Sequence, residues 1–323
     1  MKAKNLIVIA MLLTPSFASA GLQQAISAFE AGKDAQAKTL FEAEQDSAQA
    51  KLYLSRLWMF QDLDKAEDLI EQAMKLAPED PQIHFVRGQV MGRQASNSIL
   101  SAFSYAKKSL QSFQRAVELS PDTVEYRQGL MGFYLQAPGI AGGDPKLAFE
   151  QVEVIKQLDA MAGVFAELDY LAATDNEQAY KDLMLKAQSD YAQRPEVHFK
   201  AGMALVQKEI FTDAMAQFKQ AITKETVDED AIRARLNALY QLGRSAVLSE
   251  TGLQDGIAAL DEYLAWEGKT FRGLPSKDWA NFRRANLYQL LNQKQQAKDI
   301  YLALSKVADE DLAGRSKKKL KKL

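Results

Sequence analysis

Pro81-Gln82-Ile83-His84-Phe85-Val86-Arg87-Gly88 reads P-x-x-H-F-x-x-G, and Pro195-Glu196-Val197-His198-Phe199-Lys200-Ala201-Gly202 reads the same. A leading proline suits the first turn of a helix, where its missing N–H leaves no bond unmade, and Asp80 stands before the first copy as a capping residue. Each stretch is followed by a second segment with alanine and phenylalanine in helical phase. These are Phe113 and Ala116 after the first, and Ala214, Phe218 and Ala221 after the second. The same helix followed by the same kind of partner, at two distant places in one chain, marks an internal repeat.

Working outward, the unit recurs. Ser47 to Asp80 carries Leu54 and Leu57 on a first helix, then Ala66, Ile70 and Ala73 on a second, and closes on Pro78. The last copy has Ala285, Tyr288, Ala297 and Tyr301. This pattern resembles the tetratricopeptide repeat, a helix–turn–helix unit of about 34 residues. The resemblance implies an all-α solenoid of about eight helix–turn–helix pairs, over roughly 22–45, 47–80, 81–121, 124–158, 161–191, 195–225, 229–267 and 278–307. One pair cannot bury its own apolar face, so neighbours must stack into a continuous core. Small residues at Gly88, Gly202 and Ala285 then allow close helix approach, and Phe113, Phe218 and Tyr301 fill the space between units. No segment alternates with period two, so no sheet is expected.

The punctuation fits. Asp80-Pro81 and Asp144-Pro145 place a cap before a proline, while Asp64 with Glu67 and Thr174 with Glu177 have capping-box spacing. Two places depart from the repeat length. About nine extra residues between Gly92 and Ala106 read as a loop followed by an early helix start. Ala137 to Pro145 is a glycine-rich turn that Asp144 closes.

The N-terminus reads as a secretory signal, residues 1–20: Lys2 and Lys4, the apolar run Leu6–Leu13, and the small residues Ala18-Ser19-Ala20. The run is too short to span a bilayer, cleavage after Ala20 is expected, and the repeat array then occupies 21–307. With no cysteine in the chain, disulfides and thiolate metal sites are excluded, and an exported, cysteine-free chain points to a periplasm. No later stretch is apolar enough for a transmembrane anchor. Setting Lys2 and Lys4 aside takes the formal charge from −2 to −4, and the six cations between Arg315 and Lys322 leave −10 on residues 21–314. So acidic a body argues against nucleic acid.

Candidate chemistry is sparse. His84 and His198, the only histidines, sit several units apart and read as packing residues rather than ligands. Gly139 to Asp144 lacks the lysine and Ser/Thr of a phosphate loop, and Asp144 would repel an anion. Ser245 lacks the second glycine of a nucleophile elbow. The sequence therefore predicts no enzyme, no metal and no cofactor.

The resemblance implies instead a concave groove lined by first helices. The matching positions are Lys51, Ser55 and Trp58; Gln82, Phe85 and Gln89; Gln128 and Gln136; Glu196, Phe199 and Met203; and Trp279, Phe282, Asn286 and Gln289. Rings offer apolar area at low entropy cost, and amides bond peptide backbone. Phe85, Phe199 and Phe282 recur at one phase, which equally suits a core stripe. The family's lysine–asparagine carboxylate clamp is not evident. The expected function is a non-enzymatic periplasmic scaffold for a protein or peptide of the cell envelope. The alternative is a solute-binding accessory protein of an envelope transport system. Residues 308–323 form either a capping helix, with Leu312, Leu320 and Leu323 covering the end of the stack, or a basic tail whose Arg315–Lys322 stretch meets an acidic partner or anionic lipid.

Overall fold

In a computed structural model, residues 20–44 and 46–323 are described. The expected signal segment falls outside them except for Ala20. The described residues form seventeen α-helices and no strand, and sixteen of those helices make eight antiparallel pairs. The pairs are α1 (Ala20–Glu30) with α2 (Asp34–Ala43), α3 (Ala48–Trp58) with α4 (Leu63–Leu76), α5 (Pro81–Asn97) with α6 (Ala102–Leu119), and α7 (Val124–Gln136) with α8 (Pro145–Leu158). They continue with α9 (Ala160–Ala173) and α10 (Glu177–Asp190), α11 (Pro195–Gln207) and α12 (Phe211–Thr223), α13 (Glu229–Ser249) and α14 (Leu253–Leu264), and α15 (Lys277–Leu290) and α16 (Lys294–Leu304). A single helix, α17 (Glu310–Leu320), follows.

Helix starts show where local chemistry acts. The Asp80 carboxylate accepts from the Gln82 and Ile83 amides at 2.8 and 3.4 Å, and Asp144 does the same for Lys146 and Leu147 at 2.8 and 3.4 Å. Each such cap stabilises its helix by about 1 kcal/mol. The two capping boxes are corrected. Asp62, in extended backbone, caps α4 by accepting from Lys65 N at 3.0 Å; Asp64 is already helical, and with Glu67 it accepts from the Gln94 amide of α5 at 3.0 and 2.8 Å. Asp175 takes a left-handed turn (φ 54°), so the cap of α10 falls to Asn176, while the Thr174 hydroxyl donates back to Tyr170 O at 2.9 Å.

The third pair also differs from its sequence reading. Residues 92–97 continue α5, leaving only 98–101 as a loop. Gly92 does not break the helix, because it lies one turn beyond Gly88 on the face that receives α6. A Cβ on Gly92 would sit 3.3 Å from Ser109 Oγ, and Ser109 donates to Gly88 O at 2.7 Å.

Glycine against aromatic is the recurring join. A Cβ on Gly202 would lie 2.5 Å from the Phe218 ring, and one on Gly88 2.8 Å from Phe113. Phe218 and Tyr301 are wholly buried. Successive first helices touch one another along the array, with the one exception of α9 and α11, and successive second helices do not. The first helices therefore form the inner, concave wall. One apolar core runs from Leu22 to Ala166 and another from Ala214 to Leu287, with a small cluster of Leu168, Met184, Ala187, Val197 and Ala201 between them. On α17, Leu312 is buried against Leu304 and Tyr301 of the last pair, and Leu320 and Leu323 pack partly beside it.

The curl brings the first pair against the segment that follows the seventh. In the segment between α14 and α15, the Arg272 amide donates to Glu30 O at 2.6 Å. Its guanidinium lies 3.8 Å from the Phe29 ring centre and pairs with Asp34 at 2.5 Å, 238 residues away in the chain. The superhelix is thus closed on itself by a seam between the first and seventh pairs.

Candidate functional site

Inside the curl, α3, α5, α6 and α7 border an open groove of about 1140 Å³. Gly88, Gly92, Gly129 and Gly132 line it; a Cβ on Gly88 or Gly129 would strike the Phe113 or Phe85 ring, whereas one on Gly132 would meet only Gln136 at 3.7 Å. One wall is apolar and open to solvent. Ile99 and Leu100, in the α5–α6 loop, are 95% and 97% exposed, and Phe60, Phe103 and Ile140 flank them. Ile140 is carried there by the single 3-10 turn Gly139–Ala141, which Gly142 ends with a left-handed φ of 99°. Gln89, Gln128 and Gln136 add amides.

Among the described residues three cations line the groove, Arg56, Arg93 and Arg272, and no aspartate or glutamate does. Arg93 stacks on Phe60 at 3.9 Å. Arg272 is held by Asp34. Arg56 lies 4.9 Å from the Phe29 ring centre and 5.6 Å from that of Tyr53, and among the described residues no carboxylate stands within ion-pair distance of it. Burial pushes its pKa below the ordinary arginine value; Glu125 and Glu30 act on it only at longer range. Phe29, Arg56 and Arg272 also border a smaller cavity of about 320 Å³ at the seam, beside Gln82, Arg233 and the Lys269–Glu229 pair (2.6 Å).

The structure places the sequence-derived groove residues in several different surroundings. Gln89, Gln128 and Gln136 face the groove, and Gln82 faces the seam cavity. Ser55, Phe85, Phe282 and Asn286 are corrected to core. A first helix within the stack has neighbours on three sides, so most of its positions are covered. Ser55 donates to Ala66 O at 2.7 Å, Phe85 packs on Phe113 at 5.8 Å, and Phe282 packs on Tyr301 at 5.7 Å. The Tyr301 hydroxyl donates to Asn286 Oδ1 at 2.7 Å, with Gln289 Oε1 3.2 Å from the same oxygen. Phe199 and Met203 are half-buried beside the second core, with Phe199 6.1 Å from Phe218. The buried Glu196 pairs with Arg194. Lys51 reaches Gln72 at 2.9 Å, and Trp58 is covered by the amines of Lys65 and Lys38 at 3.9 and 4.4 Å. Trp279 Nε1 donates to Asp309 at 3.1 Å, tying α15 to α17. The two histidines pack as expected: His84 Nε2 meets Pro78 O at 2.7 Å and His198 Nδ1 meets Gln217 at 3.2 Å.

Sequence reasoning missed the three arginines, Phe103 and Ile140. Arg56 and Arg93 follow a first-helix phase shared with Gln89, but Arg272 lies in a loop and reaches the groove only through closure.

No protein-family model matches the sequence, and no curated protein matches it. Among solved structures, yeast Tom70 aligns at 14% identity and a TM-score of 0.62, over 99% of this chain and 66% of that one, so the chain spans just under two thirds of Tom70. A tetratricopeptide repeat protein from Parabacteroides merdae aligns at 10% identity and a TM-score of 0.46, over 83% of this chain and 97% of that one. The chain has the tetratricopeptide-repeat fold. Among its described residues, no helix is long and apolar enough to cross a membrane.

Proposed function

We propose that the protein is a non-enzymatic scaffold of the bacterial periplasm that holds a protein or peptide partner inside its curl. The observation that carries this reading is the groove itself. The turns after α3, α5 and α7 and the start of α6 present exposed apolar side chains (Phe60, Ile99, Leu100, Ile140 and Phe103) beside Gln89, Gln128 and Gln136 of the first helices. Exposed apolar surface in a concavity is what a partner covers, and amides satisfy the backbone of an extended segment. Export rests on the signal-like residues 1–20.

A photo-crosslinking amino acid at Gln128, compared with one at Lys298 on the outer second helix α16, tests the reading in intact cells. The expected result is a recurrent protein adduct at Gln128 that is absent at Lys298, in the envelope fraction. Equal labelling at both positions, or none at either, would overturn it.

A further inference from the structure

The groove's charge runs against that of the molecule. Residues 21–314 carry 32 cations and 42 anions, a formal −10, yet among the described residues the groove lining holds three arginines and no carboxylate. Two of those guanidiniums are engaged, Arg272 by Asp34 and Arg93 by the Phe60 ring. Arg56 lies beside the edge-packed Phe29 and Tyr53 rings with no ion-pair partner among the described residues, and Arg272 also lies against the Phe29 ring. Half-buried, with Glu125 and Glu30 acting on it only at longer range, Arg56 has a place for an anion in direct contact, which would offset its partial desolvation. The planar fork of Arg56 offers paired N–H donors matched to two oxygens of a carboxylate. Beside it runs the wall of Phe60, Ile99, Leu100, Phe103 and Ile140, an apolar surface in contact with water.

We infer that the partner segment is acidic and apolar together: an internal aspartate or glutamate docks its carboxylate on Arg56 at the seam, while neighbouring large apolar side chains lie along that wall. The inference rests on the peptide-binding reading above and gives it a chemistry. Because Arg56 borders both the groove and the seam cavity, the docked carboxylate sits where the first and seventh pairs meet.

The test is selection from a random peptide display library on the immobilised full chain, followed by affinity measurement with a selected peptide. The expected peptides share one acidic residue flanked by large apolar ones. Arg56→Gln weakens the selected peptide by at least about tenfold. Changing the peptide's own glutamate to glutamine weakens it by the same factor on the parent protein, and the two changes together cost no more than either alone. Arg56→Lys retains part of the affinity. Should Arg56→Gln fail to fold, the glutamate-to-glutamine peptide on the parent protein decides alone. Selected peptides without an acidic bias, or indifferent to Arg56, would overturn the inference while leaving peptide binding intact. No selection above background would overturn both. Dodecanoate displacing the peptide in an Arg56-dependent way, with the tighter affinity, would overturn it in favour of an anionic amphiphile.

Discussion

The joint between the sixth and seventh pairs and the joint between the fifth and sixth are built from the same repeat and differ in kind. At the former, α12 and α11 both pack on α13, and Met215, Phe218, Leu236 and Leu239 share one buried cluster. At the latter, α9 and α11 lie too far apart for backbone contact and reach each other through Lys200 and Asp169 at 2.7 Å. Lys208 with Glu177 (2.8 Å) and Gln188 with Gln217 (2.7 Å) add two more polar links, over only the small cluster around Met184. The fifth pair has no glycine–aromatic join of the kind Gly202 makes with Phe218. One joint is thus a continuation of core, and the other is a small apolar cluster with polar links around it, set between two cores. A solenoid is as stiff as its interfaces, so the joint between the fifth and sixth pairs is expected to yield before the one between the sixth and seventh.

The strongest way to test that contrast is to remove apolar volume on each side of it. Phe218→Ala empties a fully buried site and is expected to destabilise by about 3–5 kcal/mol, read from the urea midpoint. Met184→Ala, in the thin cluster, is expected to cost about 2 kcal/mol, because fewer neighbours lose contact. Amide hydrogen exchange should show α9 and α10 opening before α12 and α13 in the parent protein. Equal costs, or the reverse order of exchange, would break the comparison.

A smaller effect concerns the segment that closes the ring from the other side. Tyr263 donates its hydroxyl to Pro275 O, anchoring residues 265–276, and burial pushes its phenol up to about 12. In the unfolded chain the phenol titrates near 10. The fold therefore favours the neutral form. This contribution is fully present below about pH 10 and is lost as pH rises towards about 12. Tyr263→Phe should cost about 1 kcal/mol at neutral pH and flatten the alkaline fall in the urea midpoint. Burial also raises the Tyr301 phenol, but that group titrates in both proteins, so their difference reports Tyr263. An unchanged alkaline slope would show that the anchor does not sense the fold.

How much of this was legible in the sequence follows from the range of each signal. Helix pairing was legible because Asp80-Pro81, Gly202 and Phe218 act within one unit, where periodicity and caps report directly. The groove was half legible. Phase alone picks out Gln89, Gln128 and Gln136, but it also picks out Phe85, Phe282, Ser55 and Asn286, which a neighbouring helix covers. An inner helix of a stack buries more than one face, and period 3.6 does not say which face stays open. Closure was not legible, since nothing near Arg272 signals Phe29 or Asp34 across more than two hundred residues. The pairing depends on summed small rotations between units.

The seam itself gives the smallest energetic effect and the sharpest geometric one. Its ion pair is partly open to solvent, with Arg272 and Asp34 side chains 33% and 49% exposed, so Arg272→Ala is expected to lower stability by no more than about 1 kcal/mol. Shape should respond more than stability. The chain is a ring with one thin joint, and a ring opened at the seam swings about its thinnest interface. Because the protein has no cysteine, two can be introduced at exposed Gln23 and Glu267 without background, and the distance between their spin labels measured. The parent should give one short, narrow distance that lengthens and broadens at high salt, as a screened contact must. Arg272→Ala should give the long, broad distribution at any salt, and restraining the fifth joint with a crosslink between residues placed at Asp169 and Lys200 should narrow it again. A distribution unmoved by Arg272→Ala would mean that the buried Phe271, rather than charge, holds the mouth shut, and the fifth joint would then lose its role as the hinge.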